Sequence, residues 1–469
     1  MSKNATQQNF TNQKDKLSVI ILAAGQGTRM KSPLPKVLHP VAGTPMIARV
    51  IQAAKTFDPQ EIRVVVGHGK SLVEQVIVPM GVTTHEQTER RGTAHAVMAA
   101  GIETLTGNVL ILNGDHPLIA KDDINKAITE FNDLKADIAV LTCTLKNPRE
   151  FGRVVRQGGD VRAIVEAKDA SSETLRINEI NTGAYLVRSE ILKEFLPQIN
   201  PNNAQNELYL TDLISLCVEN RKKVLGVRVS KRFAFGVNDQ IQLAKATNIV
   251  AADKIKELML NGVIFIKPET SYVEDEVRIE SGAVIYPNVF LKGFTDIGAF
   301  SVIEPNCFIL NSKIGNGVQI KAGSHLERAV VHDKSEIGPY ARLRPETEIG
   351  ANAKVGNFVE MKKVKFGEGS KASHLTYLGD AKIGKDVNIG CGTITCNYAA
   401  DKKKYETIIE DGAFIGSDSQ FIAPVKVGAN AIVGSGSVIT KEVPANALAV
   451  ARGKQVIVEN YADKFKKDK

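Results

Sequence analysis

The stretch Ile279-Glu-Ser-Gly-Ala-Val-Ile285-Tyr-Pro-Asn-Val-Phe-Leu291-Lys-Gly-Phe-Thr-Asp-Ile297 carries a large apolar residue at every sixth position. The spacing continues and recurs in two later series, through Ile303, Ile309, Val331, Ile337, Leu343, Ile349, Val355, Met361, Ile409, Ile415, Phe421, Val427, Val433 and Ile439. Neither the period of a helix nor that of a strand accounts for this spacing. A coil of three equal faces does, because each apolar side chain then points inward and stacks on its equivalents in neighbouring coils. The pattern therefore predicts a solenoid of parallel strands.

The spacing breaks in two places, and we expect both to be insertions. The first lies between Phe366 and Ile383 and contains His374, and the second lies between Ile389 and Ile409. Because an insertion leaves the core of a solenoid intact, functional residues tend to collect there.

The residues from Leu17 to about Val237 follow a different, α/β pattern. Apolar runs at Leu17–Leu22, Ile62–Val66, Val109–Leu112 and Ile138–Leu141 alternate with amphipathic stretches such as Pro45–Thr56 and Thr93–Ile102. Continuous apolar strands separated by helices predict a three-layer domain around a mainly parallel sheet.

A proline-free segment from Asp239 to Asn261 separates the two patterns. Asp239 suits a helix N-cap and Gly262 suits the position just after a helix end, so one helix about 30–35 Å long is predicted to bridge the two halves. The predicted organisation is a polar tail over residues 1–16, an α/β domain over 17–240, a linker helix over 241–261 and the solenoid over 262–469.

The composition argues against several classes of protein. The chain has 469 residues, no Trp, five cysteines and a net charge of +8 that is spread along the sequence. The cysteines have no zinc or redox spacing, and no dense block of basic residues interleaves with aromatic ones. No apolar run approaches the roughly 20 residues of a membrane helix, and the N-terminal tail lacks the apolar core of a signal peptide. We therefore expect a cytoplasmic protein with reduced thiols and with neither membrane nor nucleic-acid partners.

The first predicted strand leads into a glycine-rich run, Leu22-Ala23-Ala24-Gly25-Gln-Gly27-Thr-Arg29-Met30, which Pro35-Lys36 follows. The glycines let backbone N–H groups approach phosphates, and Arg29 and Lys36 can neutralise phosphate charge. The run lacks the Gly-Lys-Ser/Thr of a Walker loop, and Met30 replaces the third glycine of a dinucleotide fingerprint. Taken alone, it is also compatible with an ordinary strand-to-helix turn.

A carboxylate follows a second strand. Val109–Leu112 runs into Asn113-Gly114-Asp115, which places Asp115 at the carboxyl end of a strand, where ligands of α/β sheets bind. Mg²⁺ accepts one or two carboxylates together with substrate phosphates. The alternative is that Asp115 caps the next helix.

These motifs resemble known families. The run from Leu22 to Lys36 is similar to the signature of sugar nucleotidyltransferases, and the six-residue repeat resembles the left-handed parallel β-helix of hexapeptide acyltransferases. Arg342–Pro345, Val355–Lys363, His374–Asp380 and Thr393–Tyr398 extend the resemblance over essentially the whole chain after the tail. Together these segments resemble the bacterial bifunctional N-acetylglucosamine-1-phosphate uridylyltransferase/glucosamine-1-phosphate N-acetyltransferase family. The resemblance implies a Rossmann-like nucleotidyltransferase domain, a linker helix and a β-helix acetyltransferase domain.

The resemblance also implies the reactions. Acetyl-CoA would acetylate glucosamine-1-phosphate, and UTP would then transfer its uridylyl group to N-acetylglucosamine-1-phosphate with release of pyrophosphate. The product, UDP-N-acetylglucosamine, would feed peptidoglycan and lipopolysaccharide synthesis. Mg²⁺ as cofactor and a homotrimer are implied as well.

For the first domain the resemblance implies one nucleotide and sugar site, formed by Leu22, Ala23, Ala24, Gly25, Lys36, Gln87, Gly92, Thr93, Asn113, Gly114, Asp115, Gly152, Glu166, Asn181 and Asn238. Asp115 and Asn238 would hold the metal, and Arg29 and Lys36 would act on the phosphates. Gln87 with the Gly92-Thr93 pair would hold uracil. The sugar would contact Gly152, Glu166 and Asn181. Asn113 departs from the family pattern, in which Tyr is usual.

For the second domain the resemblance implies that His374 is the general base. The substrate amine must lose a proton before it attacks a thioester, and imidazole is the natural acceptor near neutral pH. The acetyl acceptor would contact Arg344, Lys362, Tyr377 and Asn388, and acetyl-CoA would contact Cys391, Asn397, Tyr398, Ser417, Ser435 and Arg452. Cys391, Ser435 and Ala399-Ala400 depart from the family pattern. Lys402–Lys404 is interpreted either as a solvated loop tip or as a group near the CoA phosphates.

Two alternative hypotheses are kept. One is a nucleotidyltransferase whose β-helix serves only in assembly or regulation, against which His374, Tyr377 and the Asn397-Tyr398 pair argue. The other is a binding solenoid joined to an inactive nucleotide fold, against which the presence of Lys36, Asp115 and Asn238 argues.

Overall fold

The computed structural model describes residues 16–466. The predicted tail at residues 1–16 therefore falls almost wholly outside the described residues. The chain divides into two compact units, one up to Val250 and the other from Ala251 onward.

The first unit is built on a sheet with strand order β11-β7-β10-β6-β1-β4-β5, and the hairpin β8–β9 extends it beside β10. The strands are β1 (Leu17–Leu22), β2 (Pro40–Val41), β3 (Thr44–Pro45), β4 (Glu61–Val66), β5 (Thr83–Glu86), β6 (Asn108–Asn113), β7 (Ile138–Thr144), β8 (Arg153–Gln157), β9 (Asp160–Val165), β10 (Glu179–Arg188) and β11 (Val224–Arg228). Strands β1, β4, β5 and β6 run parallel, whereas β10 is antiparallel to β6 and β7. The predicted mainly parallel sheet is confirmed.

Helices cover this sheet on both faces. They are α1 (Met46–Lys55), α2 (Lys70–Ile77), α3 (Thr93–Ala99), α4 (Lys121–Asp133), α5 (Ser189–Phe195) and α6 (Asp212–Glu219). Alternate residues of β1 enter two different apolar clusters, since Val19 and Ile21 pack with α1 and α4, whereas Ile20 packs with α3 and α5. A continuous apolar strand is therefore required, because both of its faces are buried.

A long helix, α7 (Gln240–Leu260), joins the two patterns. The Asp239 carboxylate accepts a hydrogen bond of 2.7 Å from Gln242 N, as expected of an N-cap, and Gly262 has a φ of 92°. Ala246 and Val250 belong to an apolar cluster of the first unit, and Ile255 and Leu258 belong to the core of the second.

The second unit is a left-handed parallel β-helix, which confirms the parallel solenoid predicted from the six-residue spacing and the β-helix implied by the resemblance. Its strands β12 to β37 are Ile264–Phe265, Tyr272–Val273, Arg278–Ile279, Val284–Ile285, Phe290–Lys292, Asp296–Ile297, Val302–Ile303, Phe308–Leu310, Lys313–Ile314, Gln319–Ile320, His325–Glu327, Ala329–Val331, Glu336–Ile337, Arg342–Leu343, Thr347–Ile349, Lys354–Phe366, Lys371–Ile383, Asn388–Ile389, Ile394–Cys396, Thr407–Ile409, Phe414–Ile415, Gln420–Ile422, Val425–Val427, Ile432–Val433, Val438–Ile439 and Leu448–Ala449. Most pair in parallel with the third strand along the chain, so three short strands make one coil. All the apolar residues that recur at every sixth position are buried in one continuous core.

The corners of the coils have a distinctive backbone. One corner has positive φ on successive coils, at Asn288, Asn306, Gly323, Tyr340, Phe358, Leu375 and Gly392. Side chains disfavour this left-handed region, so the corners are the strained points of each coil. Residues at one corner lie above one another along the solenoid.

The structure shows that one predicted insertion is wrong. Between Phe366 and Ile383 the coil is regular, with Ala372 and Leu378 buried at interior positions. Strand β28 (Lys371–Ile383) pairs in register with β27 (Lys354–Phe366), so His374 lies on an ordinary coil rather than in an inserted loop. The interior position that would show the six-residue spacing is occupied by Ala372, which is too small to be recognised as one of the large apolar residues. The second interruption does contain extra residues, which form a hairpin bridged between Tyr398 and Lys404.

Candidate active sites

A cavity of about 260 Å³ opens at the carboxyl ends of β1 and β6 in the first unit. Ten of the predicted nucleotide-site residues line it: Leu22, Ala23, Ala24, Gly25, Lys36, Gln87, Gly92, Thr93, Asn113 and Asp115. Gly114 is buried beside it, and its N–H donates to Leu22 O at 2.9 Å, which ties the two strand ends together. The predicted nucleotide-site residues therefore gather at the edge of the parallel sheet.

Lys36 is the centre of the polar network in this cavity. Its ammonium forms an ion pair with Asp115 and donates to Asn238 Oδ1 at 2.7 Å, so these two predicted metal ligands lie close together. Arg29 Nη2 also donates to Asn238 Oδ1, at 3.0 Å. The helix cap at the start of α7 fixes the backbone next to Asn238, because Gln242 Oε1 accepts from Asn238 N at 2.6 Å.

The donor set suits a hard divalent cation. Burial alone would raise the pKa of Asp115, but the positive charge of Lys36, its hydrogen bond and the neighbouring His116 lower the pKa below its ordinary value. Asp115 therefore presents an ionised carboxylate beside an amide oxygen, and Mg²⁺ prefers such oxygens when phosphates complete its shell. Within residues 16–466, no cluster of three or more His, Cys, Asp or Glu side chains could hold a metal ion. A cation at Asp115 and Asn238 would therefore need substrate phosphates as further ligands.

The loop around Gly92 shapes one wall of the cavity. Gln87 Nε2 donates to Gly92 O at 3.1 Å, and Thr93 Oγ1 accepts from Leu210 N at 3.0 Å. Gly92 has a φ of 110°, and a Cβ there would lie 2.4 Å from Leu208 O. Only glycine allows the backbone of this wall to approach Leu208 so closely.

The three predicted sugar contacts gather beside the cavity rather than inside it. Gly152 O accepts from Asn181 N at 2.9 Å, and a Cβ on Gly152 would lie 3.3 Å from the Glu166 carboxylate. Burial raises the pKa of Glu166, and interaction with the Thr211 hydroxyl opposes this only in part. Asn113, which departs from the family pattern, donates to Gly183 O at 3.3 Å.

In the second unit, His374 belongs to a corner column with one residue per coil. Lys354, Lys371, Asn388, Phe414 and Ile432 are register partners on successive coils. The residues three places after them are Asn357, His374, Cys391, Ser417 and Ser435. Coils are spaced by about 4.8 Å, so the column from His374 to Ser435 is roughly 14 Å long.

This corner column contains the predicted general base and three of the predicted acetyl-CoA contacts. His374, Cys391, Ser417 and Ser435 are all exposed. Arg452 lies at its end, where Nη1 donates to Ser435 O at 2.9 Å. An exposed line of small side chains between a histidine and an arginine suits a long, thin ligand with an anionic end.

A cationic cluster forms at the far edge of the adjoining face. Arg344 and Lys362 directly follow the register partners Leu343 and Met361, so they occupy equivalent positions on adjacent coils. The neighbouring Lys404 ammonium, with a smaller effect of Arg344, lowers the pKa of Lys362. Because like charges repel, three such cations side by side favour a bound anion such as a phosphate.

Tyr377 and Asn397 meet above Gly379. A Cβ on Gly379 would lie 2.5 Å from the Tyr377 hydroxyl and 2.7 Å from Asn397 Nδ2. Asn397 is buried and donates to Asp380, whereas Tyr398 is exposed. Asn388 stands on the face before the His374 corner and Tyr377 on the face after it, so the four predicted acceptor residues are divided between two faces of the prism.

Sequence reasoning missed one cation of the candidate sites and left the role of another open. Arg90 lines the nucleotide cavity and donates to Gln26 Oε1 of the glycine-rich run at 2.6 Å. Its position just before Gly92-Thr93 was the available signal. The sequence left Lys402–Lys404 as either a solvated loop tip or a group near the CoA phosphates, and the structure places Lys404 beside Lys362. A separate cavity of about 360 Å³ near Lys382 and Glu410 includes none of the predicted site residues.

Fold and sites together define a two-part transferase, a nucleotidyltransferase joined to a hexapeptide acyltransferase. Family models agree, since residues 19–158 match the MobA-like NTP transferase domain and residues 406–441 match the bacterial transferase hexapeptide. Curated relatives match the whole arrangement. The chain is similar to the bifunctional protein GlmU of Bdellovibrio bacteriovorus, with 61% identity over 96% of this chain and 98% of the relative.

Two further GlmU proteins extend the comparison. That of Carboxydothermus hydrogenoformans is 48% identical over 94% of this chain and 99% of its own, and that of Geotalea uraniireducens is 45% identical over 96% and 99%. The chain belongs to the family of bifunctional GlmU proteins. It is a bifunctional enzyme that acetylates glucosamine-1-phosphate from acetyl-CoA and transfers uridylyl from UTP to N-acetylglucosamine-1-phosphate. Among the described residues, no helix has the length and apolarity needed to span a membrane.

The cationic cluster generates a prediction for Lys404→Ala. We expect the cluster to bind the phosphate of glucosamine-1-phosphate, so loss of one charge-assisted contact, worth about 1.5–3 kcal/mol, should raise the KM for this substrate by roughly ten- to a hundredfold. Steady-state acetyl transfer measures this. Lys403→Ala, one residue earlier on the same hairpin, is the matched control and should stay near wild type. Equal effects of the two substitutions would contradict the assignment.

Proposed function

We propose that each reaction has its own site, with the nucleotide cavity serving uridylyl transfer and the corner column serving acetyl transfer. The observation that carries this proposal is the network in which Lys36, a residue of the nucleotide cavity, contacts both Asp115 and Asn238, on a different unit from the exposed His374 column. The proposed division follows the two patterns of the sequence, with α7 between them.

In the proposed uridylyl transfer, a phosphate oxygen of the sugar attacks the α-phosphorus of UTP in line with the departing pyrophosphate. No protein nucleophile is needed, so rate comes from positioning and charge stabilisation. Arg29 and Lys36 neutralise phosphate charge, and Gln87 with Gly92 and Thr93 orients uracil. Asp115 and Asn238 hold Mg²⁺, which supplies further neutralisation of the phosphates when bound.

In the proposed acetyl transfer, acetyl-CoA lies along the corner column with its anionic end towards Arg452. The cationic cluster holds the phosphate of glucosamine-1-phosphate. His374 removes a proton from the substrate amine, which then attacks the thioester carbonyl. Asn397, Tyr398 and Tyr377 border the reacting groups.

We further propose a homotrimer. Tyr340, Phe358 and Leu375 project from the corner beside His374 and are each more than half exposed. Exposed apolar side chains next to a site, together with acceptor residues divided between two faces of the prism, favour completion of the site by a neighbouring subunit.

The trimer is tested by multi-angle light scattering of the full chain. The expected mass is three times that of one chain, with acetyl transfer only in that species. The proposal fails if an isolated monomer catalyses acetyl transfer at the full rate.

For uridylyl transfer, Asp115→Asn should lower pyrophosphate release by about 10²–10³-fold, since it removes the charge that holds the cation near the reacting phosphate. CoA release from acetyl-CoA should be unaffected. Asp122→Asn, an exposed acidic residue nearby on α4, is the control and should leave both activities intact. Equal loss of both activities in folded Asp115→Asn protein would show that the sites are not independent.

For acetyl transfer, His374→Ala should lower the rate by about 10²–10⁴-fold, the usual contribution of a general base. Higher pH should restore part of the rate by supplying more neutral amine, and uridylyl transfer should persist. His332→Ala serves as control, because His332 is an exposed β-helix histidine paired with Glu348 at 3.0 Å. A rate within about threefold of wild type would place the base elsewhere.

A further inference from the structure

Asn357 is the partner of His374 on the preceding coil. The two residues are register partners in the parallel strands β27 and β28, so their side chains leave the solenoid side by side. His374 Nδ1 lies 3.1 Å from Asn357 Oδ1. Among the described residues, Asn357 is the side chain that forms a hydrogen bond with the His374 imidazole.

The identity of the acceptor determines where the imidazole proton lies. An amide oxygen only accepts hydrogen bonds, so with Oδ1 facing the ring as placed here, a neutral His374 makes this contact only when its proton is on Nδ1. Nε2 then carries a free lone pair. A histidine with the opposite tautomer would present an N–H at Nε2 and could not accept a proton there.

The backbone around the pair is held firmly. Thr376 Oγ1 donates to His374 O at 2.7 Å, and Gly392 N on the next coil donates to Leu375 O at 2.7 Å. On the other side, the ring of Phe358, the residue after Asn357, stacks on Tyr340 with centroids 5.8 Å apart. The hydrogen-bonded pair therefore sits on two braced corners.

We infer that Asn357 is a positioning residue that keeps His374 in the Nδ1–H tautomer, so that Nε2 accepts the proton of the substrate amine. The inference rests on the proposed role of His374 as general base. In the reaction the new C–N bond forms as the C–S bond of the thioester breaks. The amine proton passes to Nε2 and from there to the CoA thiolate, so protons and electrons balance without another reactant.

The direct test is nitrogen NMR of the full chain labelled with ¹⁵N-histidine, with the His374 signals assigned by their loss in His374→Ala. Wild-type protein should show a protonated Nδ1 and an unprotonated Nε2 for neutral His374. In Asn357→Leu, which keeps the bulk but removes the acceptor, the proton should shift towards Nε2. Asn357→Asp keeps an acceptor oxygen in place and should retain the wild-type tautomer.

Kinetics provide the second readout. Asn357→Leu should lower kcat for acetyl transfer by about tenfold, the effect of one lost hydrogen bond at its upper range, with little change in KM for glucosamine-1-phosphate. Asn357→Asp should recover most of the rate, and uridylyl transfer should be normal in both variants. A merely structural role would instead affect both substitutions alike and would change KM.

Two results would overturn the inference in distinguishable ways. A protonated Nε2 in the wild type, or an unchanged tautomer and kcat in Asn357→Leu, would show that Asn357 does not position the imidazole. A different result would be normal acetyl transfer in His374→Ala together with a tautomer shift in Asn357→Leu. It would show that His374 is not the general base, so that its hydrogen bond with Asn357 has no catalytic role.

Discussion

The β-helix depends on turning the chain three times in every coil while keeping each coil directly above the last. The turns require left-handed backbone at the corners, which costs about 1–2 kcal/mol for each non-glycine residue such as Tyr340 or Phe358. Stacked interior side chains offset this cost, because each, like Ile337 or Leu343, is fully removed from water. Surface residues at equivalent positions on successive coils therefore also lie one above the other along the solenoid. The corner column through His374 exists because the core repeats at the same spacing.

The α/β unit obeys a related constraint. Its parallel strands are buried on both faces, so polar groups can gather only where strands end. Leu22 and Asn113 are register partners at the ends of β1 and β6, which brings the glycine-rich run and Asp115 to one edge. Lys36 and Asn238 reach the same edge from a short turn and from the start of α7. The cavity is thus a product of strand direction as much as of any single motif.

Much of this could be predicted from the sequence, and the failures have physical causes. Interior positions such as Ile303 and Val433 follow from spacing alone, because burial selects large apolar residues at each. The spacing of large apolar residues predicts an insertion around His374 where the structure has a regular coil, because the small side chain of Ala372 fills the interior position. Pairings between coils, such as Asn357 with His374, depend on whether a coil has 17 or 18 residues, and the sequence marks that length only through its core residues. Lys404 lies on a hairpin that has no core residues at the six-residue spacing. Its position beside Lys362 therefore could not be predicted from the sequence pattern.

The corner column also sets a fixed distance between its two ends. The separation between His374 and Arg452 is fixed by the number of coils between them, in steps of about 4.8 Å. Inserting or removing one whole coil would move the arginine relative to the histidine by one step and leave the chemistry of each end intact. In the proposed binding mode, the number of coils therefore sets the length of the thioester carrier that fits between the two residues. Adding or removing one coil would change that length without rebuilding a pocket.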